Sequence, residues 1–164
     1  ETLTATFSGW PAARHCAATA LVGMGEFQEA GGRLEALAQE SRRAPAIRAG
    51  MLAQAADSWM MMRWPERAHA ALTAALKLLP NDPDLLLDRA VVLAEAKNYG
   101  PAKADLDAVL SRSPGRVEAL ALRASANRYL DFTAAARIDV DSALRLPPDY
   151  PEALVERGIQ RRLV

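Results

Sequence analysis

Cysteine, histidine and aromatic residues are scarce in this chain of 164 residues. It has one cysteine, Cys16, and two histidines, His15 and His69, and aromatic residues make up 5% of it. A single cysteine excludes an internal disulfide. A zinc site needs three or four nitrogen or sulfur ligands, and the whole chain offers only two histidines and one cysteine. The sequence therefore predicts no metal and no cofactor.

An excess of either charge is also missing, because 20 Lys and Arg balance 20 Asp and Glu. Proteins that bind nucleic acids or anionic membranes draw their affinity from a basic excess, so we expect neither partner. No apolar run approaches the roughly 18 residues of a membrane span, which excludes membrane insertion. We expect a soluble protein of the bacterial cytoplasm or periplasm, with the choice open. The start at Glu1, without a leader, indicates a processed or excised segment.

Groups of residues with catalytic spacing are missing as well. His15 and Cys16 are adjacent, so on a helix their side chains diverge by about 100° and cannot act together as base and nucleophile. Four glycines lie between residues 23 and 32, but neither a preceding strand nor a phosphate-binding lysine accompanies them. The sequence therefore predicts a protein that is not an enzyme.

What the chain does have is a repeat of 34 residues. Pro80, Pro114 and Pro148 are separated by this interval, and columns of leucine and of small residues share it. Such a period is typical of proteins whose stacked units bury each other's apolar sides. The other columns comprise Leu52, Leu86, Leu120 and Leu154; Ala56, Ala90, Ala124 and Gly158; and Ala68, Ala102 and Ala136.

Each repeat predicts two helices, because its apolar residues recur at intervals of three, four and seven and no segment alternates as a strand would. In residues 83–116, Asp82 is expected to cap a first helix that ends near Glu95. A turn over 97–100 and a second helix over 101–112 follow. The predicted fold class is all-α.

These columns resemble the tetratricopeptide repeat (TPR) family, whose signature has a large apolar residue at position 4, small residues at 8 and 20, an aromatic or leucine at 11 and proline at 32. The resemblance implies a right-handed α-α superhelical solenoid of helix-turn-helix repeats that forms a single domain over 1–164. We assign an N-terminal remnant at 1–10, a divergent and longer repeat at 11–48, repeats at 49–82, 83–116 and 117–150, and at 151–164 the first helix of a further repeat or a C-terminal cap.

Two departures from the family pattern stand out. Position 11 of the repeat at 117–150 has Asn127 in place of a large residue. The glycine usual at position 15 is present as Gly25, but the later repeats have Arg63, Lys97 and Asp131 there. We therefore expect the turn between the helices to be affected, and not the fold.

Arginine at position 7 and aspartate at position 23 occur together in the later repeats, whereas the repeat at 49–82 has Ala55 and Ala71. An unpaired charge at a partly buried helix contact would be costly, so we expect ion pairs. The sequence allows two pairings, either Arg89 with Asp105 and Arg123 with Asp139 within repeats, or Arg123 with Asp105 and Arg157 with Asp139 between repeats.

The resemblance implies a concave groove lined by the first helix of each repeat, which suits an extended peptide or a partner's helix. Met60 and Met61 are suggestive there, because thioethers adapt to partners of different shapes. The groove lacks the Lys, Arg and Asn residues that hold the acidic C-terminal tails of chaperones. The candidate partner-binding residues are Asp57, Met60, Met61, Leu87, Val91, Glu95, Ser125, Arg128 and Tyr129.

We therefore predict a non-catalytic scaffold or adaptor that binds a protein or peptide, with an Ala, Arg and Leu usage that suggests a bacterial source. The alternative is a regulatory or substrate-presenting segment of a larger enzyme or envelope complex. RNA-binding helical repeats are disfavoured, because their grooves carry basic and base-contacting side chains. The apolar stripe of the last helix also predicts self-association through residues 151–164.

Overall fold

A computed structural model describes residues 11–145 of the chain as helices joined by short turns. The described residues contain no strand, which confirms the all-α prediction. The predictions made for residues 1–10 and 151–164, including the self-association segment, lie outside the described part. The helices are α1 (Pro11–Gly23), α2 (Phe27–Glu40), α3 (Pro45–Met61), α4 (Pro65–Leu78), α5 (Pro83–Glu95), α6 (Tyr99–Arg112), α7 (Val117–Tyr129) and α8 (Thr133–Leu144).

The chain divides into two compact units at the bond between Pro80 and Asn81. Unit 1 contains α1 to α4 and unit 2 contains α5 to α8. In unit 1 each helix packs on the next one along the chain, and the same holds in unit 2, where α5 also touches α7. The single domain over 1–164 and the limits of its repeats remain predictions.

The helix ends follow from local chemistry. At the start of α5, the Asp82 carboxylate accepts hydrogen bonds from the backbone N–H groups of Asp84 and Leu85, both at 3.1 Å. The helix ends at Glu95, as predicted. The next helix, α6, begins at Tyr99, so the expected turn over 97–100 is two residues too long. Pro101 is tolerated inside α6 because the N–H groups of a first helical turn have no partner within the helix.

Buried alanines occupy the same two positions in each hairpin of the described residues. In every hairpin of the described residues, the small residues at positions 8 and 20 are at most 2% exposed. Helix axes come within about 8 Å only where the intervening side chains are small. We infer that the paired helices approach each other at Ala18 and Ala30, Ala56 and Ala68, Ala90 and Ala102, and Ala124 and Ala136, which are all buried.

In each of the four turns between paired helices of the described residues, the residue at position 15 has a left-handed backbone conformation. Gly25, Arg63, Lys97 and Asp131 have φ values of 82°, 59°, 61° and 63°. In the third turn, the N–H of Lys97 donates to the carbonyl of Ala94 at 2.9 Å, and the N–H of the following residue donates to that of Leu93 at 2.8 Å. This is the Schellman pattern, and the other three turns repeat it. Loss of the glycine therefore leaves the turn geometry unchanged, contrary to our expectation.

We predict that Lys97→Gly stabilises the chain by up to about 1 kcal/mol, because a left-handed conformation costs a residue with a Cβ more than it costs glycine. Urea unfolding would measure the change. The matched control is Ala104→Gly at an exposed position within α6, where glycine should destabilise by about 1 kcal/mol. An equal loss of stability in both variants would contradict the assigned strain.

Trp59 is the largest fully buried side chain in unit 1 and lies against a glycine of the neighbouring helix α2. A Cβ added at Gly31 would lie 2.7 Å from ring atoms Cε2 and Cζ2 of Trp59. The indole N–H donates to Glu35 Oε1 at 2.8 Å, and the Arg67 guanidinium lies 3.6 Å from the ring centre while it pairs with Glu35 Oε2 at 2.9 Å. The ring is thus fixed on several sides.

Because the Trp59 ring is held in place, Gly31→Ala should overpack this contact and destabilise unit 1 by about 1 to 3 kcal/mol. The adjacent Gly32→Ala is the control, since a Cβ there meets nothing within 4 Å. It should stabilise the helix by about 1 kcal/mol. Thermal unfolding of the two variants with tryptophan fluorescence would separate them, and equal melting temperatures would refute the close packing of Trp59.

Candidate functional site

The nine candidate residues lie on first helices of the hairpins and divide between the two units. Unit 1 has three of them in the last turns of α3: Asp57, Met60 and Met61. Unit 2 has six, on two helices that contact each other: Leu87, Val91 and Glu95 on α5, and Ser125, Arg128 and Tyr129 on α7.

An ion pair joins the two first helices of unit 2 at the start of α7. At the start of α7, the Arg116 guanidinium contacts Asp84 Oδ1 at 2.7 Å and Glu118 Oε2 at 3.2 Å. Loss of solvation opposes the charged form of Arg116, but the two carboxylates together outweigh it and raise the pKa of Arg116. At the other end, the Tyr129 ring stacks on Tyr99 of α6 at 4.3 Å between ring centres and 4° between planes.

Exposure separates the unit 2 candidates into accessible and inaccessible side chains. Tyr129 is 52% exposed and Glu95 is exposed, whereas Val91, Ser125 and Arg128 are half-buried. Leu87 is only 8% exposed, because it packs inside the unit. Leu87 therefore offers almost no surface to a partner.

The unit 1 surface combines an exposed thioether with a carboxylate. Met61 is 63% exposed, and Met60 is half-buried. Asp57 lies one turn before Met61, and the residue is exposed. Partial burial of its carboxyl group nevertheless raises the pKa of that group. On α1, the ring Nε2 of His15 lies 2.9 Å from Gln54 Oε1 of α3, which links the two first helices of this unit.

Tyr99 was missed as a surface residue by the sequence analysis, which placed it in a turn. Tyr99 is half-buried, and its ring stacks on the exposed ring of Tyr129. The Arg128 guanidinium lies 4.2 Å from the centre of the Tyr129 ring. Loss of solvation and the neighbouring Tyr129 raise the pKa of Tyr99. The signal available in the sequence was that Tyr99 and Phe27 occupy equivalent positions at the start of second helices.

The arginine and aspartate columns pair within the hairpins of unit 2. Arg89 donates from Nε and Nη2 to the two carboxylate oxygens of Asp105, both at 2.7 Å. Arg123 likewise donates to Asp139 at 3.0 and 2.6 Å. The hydrogen bonds to the carboxylates raise the pKa of both arginines, against loss of solvation. Of the two pairings open from the sequence, the structure has the one within repeats.

Arg123 also connects the two hairpins of unit 2, through an acid that the sequence analysis did not consider. Its Nη1 donates to Asp107 Oδ1 at 2.7 Å, and Lys103 binds the other oxygen of that carboxylate at 2.7 Å. Partial burial of Asp107 opposes ionisation, but the two cations outweigh it and lower its pKa. Asn127, which replaces the usual large residue, donates from Nδ2 to Asp139 at 3.0 Å.

Residues 11–145 contain no group of three or more metal-ligating side chains, and Cys16 is exposed with a free thiol. Among the helices of that same part of the chain, none combines the length and the apolar character that crossing a bilayer would require.

The repeated hairpins match solved structures of one kind. YrrB, a TPR protein with an unusual peptide-binding site, superposes with a TM-score of 0.79 at 19% identity, over 94% of this chain and 78% of that one. A tetratricopeptide repeat protein from Parabacteroides merdae superposes with a TM-score of 0.84 at 20% identity, over 93% of this chain and 59% of that chain. The first TPR of Spaghetti (RPAP3), bound to an HSP90 peptide, superposes with a TM-score of 0.66 at 22% identity, over 74% of this chain and 95% of that chain. The chain has the tetratricopeptide repeat fold. No family model and no curated protein matches its sequence.

The ion pairs of Arg123 predict that its replacement lowers the stability of the fold. Arg123→Met would leave Asp139, whose side chain is 4% exposed, without its cation. We expect a loss of about 3 to 5 kcal/mol at neutral pH. The loss from Arg89→Met should be smaller, because Arg89 has no counterpart of the bond to Asp107 in the described residues of unit 2.

The pH dependence of the Arg123→Met effect follows from the direction of the Asp107 shift. A carboxyl group whose pKa is lowered by folding stabilises the folded state above its unfolded pKa of about 3.9, and this contribution is lost as the pH falls through the lower folded value. The difference between wild type and Arg123→Met should therefore shrink between about pH 7 and pH 3. Urea unfolding at both values would show this, and a constant difference would argue against an ionic role.

Proposed function

We propose that the chain is a non-catalytic protein-interaction scaffold that binds a peptide or a partner's helix on the exposed faces of its first helices. The observation that carries this proposal is the exposure of Met61 and Tyr129 at candidate positions. Both are large apolar side chains on first helices, and both are more than half exposed. An adaptable thioether and a rigid amphipathic ring are side chains that interfaces favour.

Two structural neighbours support binding as the function of the fold. YrrB has an unusual peptide-binding site. The first TPR of RPAP3 was solved in complex with the HSP90 peptide SRMEEVD. From these proteins we take only the mode of binding, in which helical repeats hold a peptide. We do not take the identity of the peptide from them.

The residues of this chain disfavour an acidic peptide of that kind. A carboxylate clamp for such peptides needs Lys or Arg and Asn at groove positions of the repeats that include positions 5 and 9. Here those positions are His15, Ala53, Leu87 and Ala121, and Thr19, Asp57, Val91 and Ser125. Apolar contacts with polar edges are therefore the recognition we propose.

The proposal extends to the class of partner. The chain balances its charges, so we propose that its partners are proteins or peptides and not nucleic acids. The same surfaces would serve equally in a free-standing adaptor or in the regulatory segment of a larger enzyme or envelope complex. The sequence of the complete gene product would separate these two settings.

A peptide library displayed on phage would test the binding function. We expect selection on the wild-type chain to enrich sequences that bind reversibly, and enrichment to be lost for Met61→Glu and Tyr129→Glu, which place a charge on each surface. Both residues are more than half exposed, so these variants should fold.

The matched control for this selection is Ile138→Glu on α8. Ile138 is 64% exposed and apolar but lies on a second helix. Enrichment that survives the changes at 61 and 129 and is lost only with the Ile138 variant would place binding on the second helices and overturn the proposed site. No enrichment on the wild-type chain would overturn peptide binding.

A further inference from the structure

We propose that Tyr99 and Tyr129 form an oxidation site at which a one-electron oxidant joins the two rings as dityrosine. The two residues lie on α6 and α7, which pack on each other but belong to different hairpins. The new bond would therefore fasten the two hairpins of unit 2 to each other. This inference needs no binding partner and is independent of the proposed function, although Tyr129 takes part in both.

The two rings have the geometry that radical coupling requires. Their planes are 4° from parallel and their centres lie 4.3 Å apart, so the two π-systems face each other. Phenoxyl radicals combine through ring carbons ortho to the hydroxyl group, and the orbitals that form the bond point out of the ring planes. The packing of α6 on α7 thus holds together two groups that would otherwise have to meet by diffusion.

The surroundings of the pair allow oxidation and favour coupling within one chain. Tyr129 is 52% exposed and Tyr99 is half-buried, so an oxidant in solution can reach the pair. Tyr99 covers one face of the Tyr129 ring, and the Arg128 guanidinium lies over the ring at 4.2 Å from its centre. A tyrosine of another chain would have to displace one of these neighbours before it could stack on Tyr129.

The reaction removes two electrons and two protons from the pair. Each phenol gives one electron to the oxidant and its hydroxyl proton to water, which leaves two phenoxyl radicals. A carbon–carbon bond forms between the ortho carbons, the C–H bond on each of these carbons breaks, and its proton is transferred through water to the phenol oxygen. Both phenols are restored, and the product is lighter than the two tyrosines by two hydrogen atoms.

The bond would make unit 2 harder to unfold. It closes a loop between positions 99 and 129, and a cross-link of this kind restricts the unfolded chain. In the folded chain, the bond from Arg123 to Asp107 already joins the same two hairpins, but it can open and close. Oxidation would add a permanent connection beside it.

Brief photo-oxidation of the full chain with tris(bipyridyl)ruthenium and persulfate would test the site, because this reagent makes tyrosyl radicals without a docking enzyme. Trypsin places the three tyrosines in separate peptides, 98–103, 129–137 and 146–157. We expect mass spectrometry to find 98–103 linked to 129–137, two hydrogen atoms lighter than their sum. The yield should not depend on protein concentration, because the coupling is intramolecular.

Tyrosine-to-phenylalanine variants would locate the reaction. Tyr129→Phe keeps the ring but removes the phenol, so the dityrosine fluorescence of the chain should fall at least about 10-fold. The matched control is Tyr150→Phe, which removes a phenol outside the pair and should leave the link between 98–103 and 129–137 unchanged. Circular dichroism before oxidation would verify that both variants fold.

Urea unfolding before and after oxidation would test whether the hairpins become fastened. We expect oxidation to raise the unfolding midpoint of the wild type and not that of Tyr129→Phe, which controls for damage to other side chains. Equal changes in the two proteins would refute the fastening.

Three results would overturn the oxidation site itself. They are a link made mainly through peptide 146–157, a yield that rises with protein concentration, and equal dityrosine fluorescence in wild type and Tyr129→Phe. Each would show that the stacked pair does not direct the coupling. The selection with displayed peptides uses the unoxidised chain, so none of these results bears on the proposed binding function.

Discussion

The close approach of two helices at paired alanines is the contact on which the rest of the structure depends. At positions 8 and 20 a larger side chain would push the helix axes apart. The leucines and valines around each crossing could then no longer fill the space between helices at the density of a protein interior. The first-helix surfaces have their shape because these crossings hold the second helices behind them. The shape of the proposed binding surfaces therefore depends on buried residues that lie outside those surfaces.

Backbone hydrogen bonds determine the turn more strongly than the side chain does. The Schellman pattern uses only main-chain N–H and C=O groups, and it forms with glycine, arginine, lysine or aspartate in the left-handed position. Packing of the two helices on each side offsets the conformational cost at the three residues that have a Cβ. The result is four turns of one geometry in the described residues, with side chains of different charge.

The 34-residue period made much of the fold predictable from the sequence, because identical columns require equivalent environments. The limits of α5 and the buried alanines could be predicted this way. The start of α6 at Tyr99 could not be predicted. Lys97 and Asn98 complete the Schellman turn, and the next residue already belongs to α6. The role of Asp107 was overlooked, although Asp141 occupies the same position in the next repeat and gave the same signal as the column of Asp105 and Asp139. The exposure of Met61 and the burial of Leu87 depend on packing that periodicity does not specify.

The arginine and aspartate pairs have a consequence for how such repeats diverge after duplication. The arginines keep about a quarter of their side chains in solvent, at 23% and 24%, whereas the partner aspartates keep 10% and 4%. An arginine that arises first can therefore hydrate its guanidinium at the surface, but an aspartate that arises first is stranded without water or a cation. For a repeat with two alanines, like Ala55 and Ala71, the route in which the arginine arises before the aspartate would therefore cost less stability. Loss of the aspartate before the arginine would be the less costly way back.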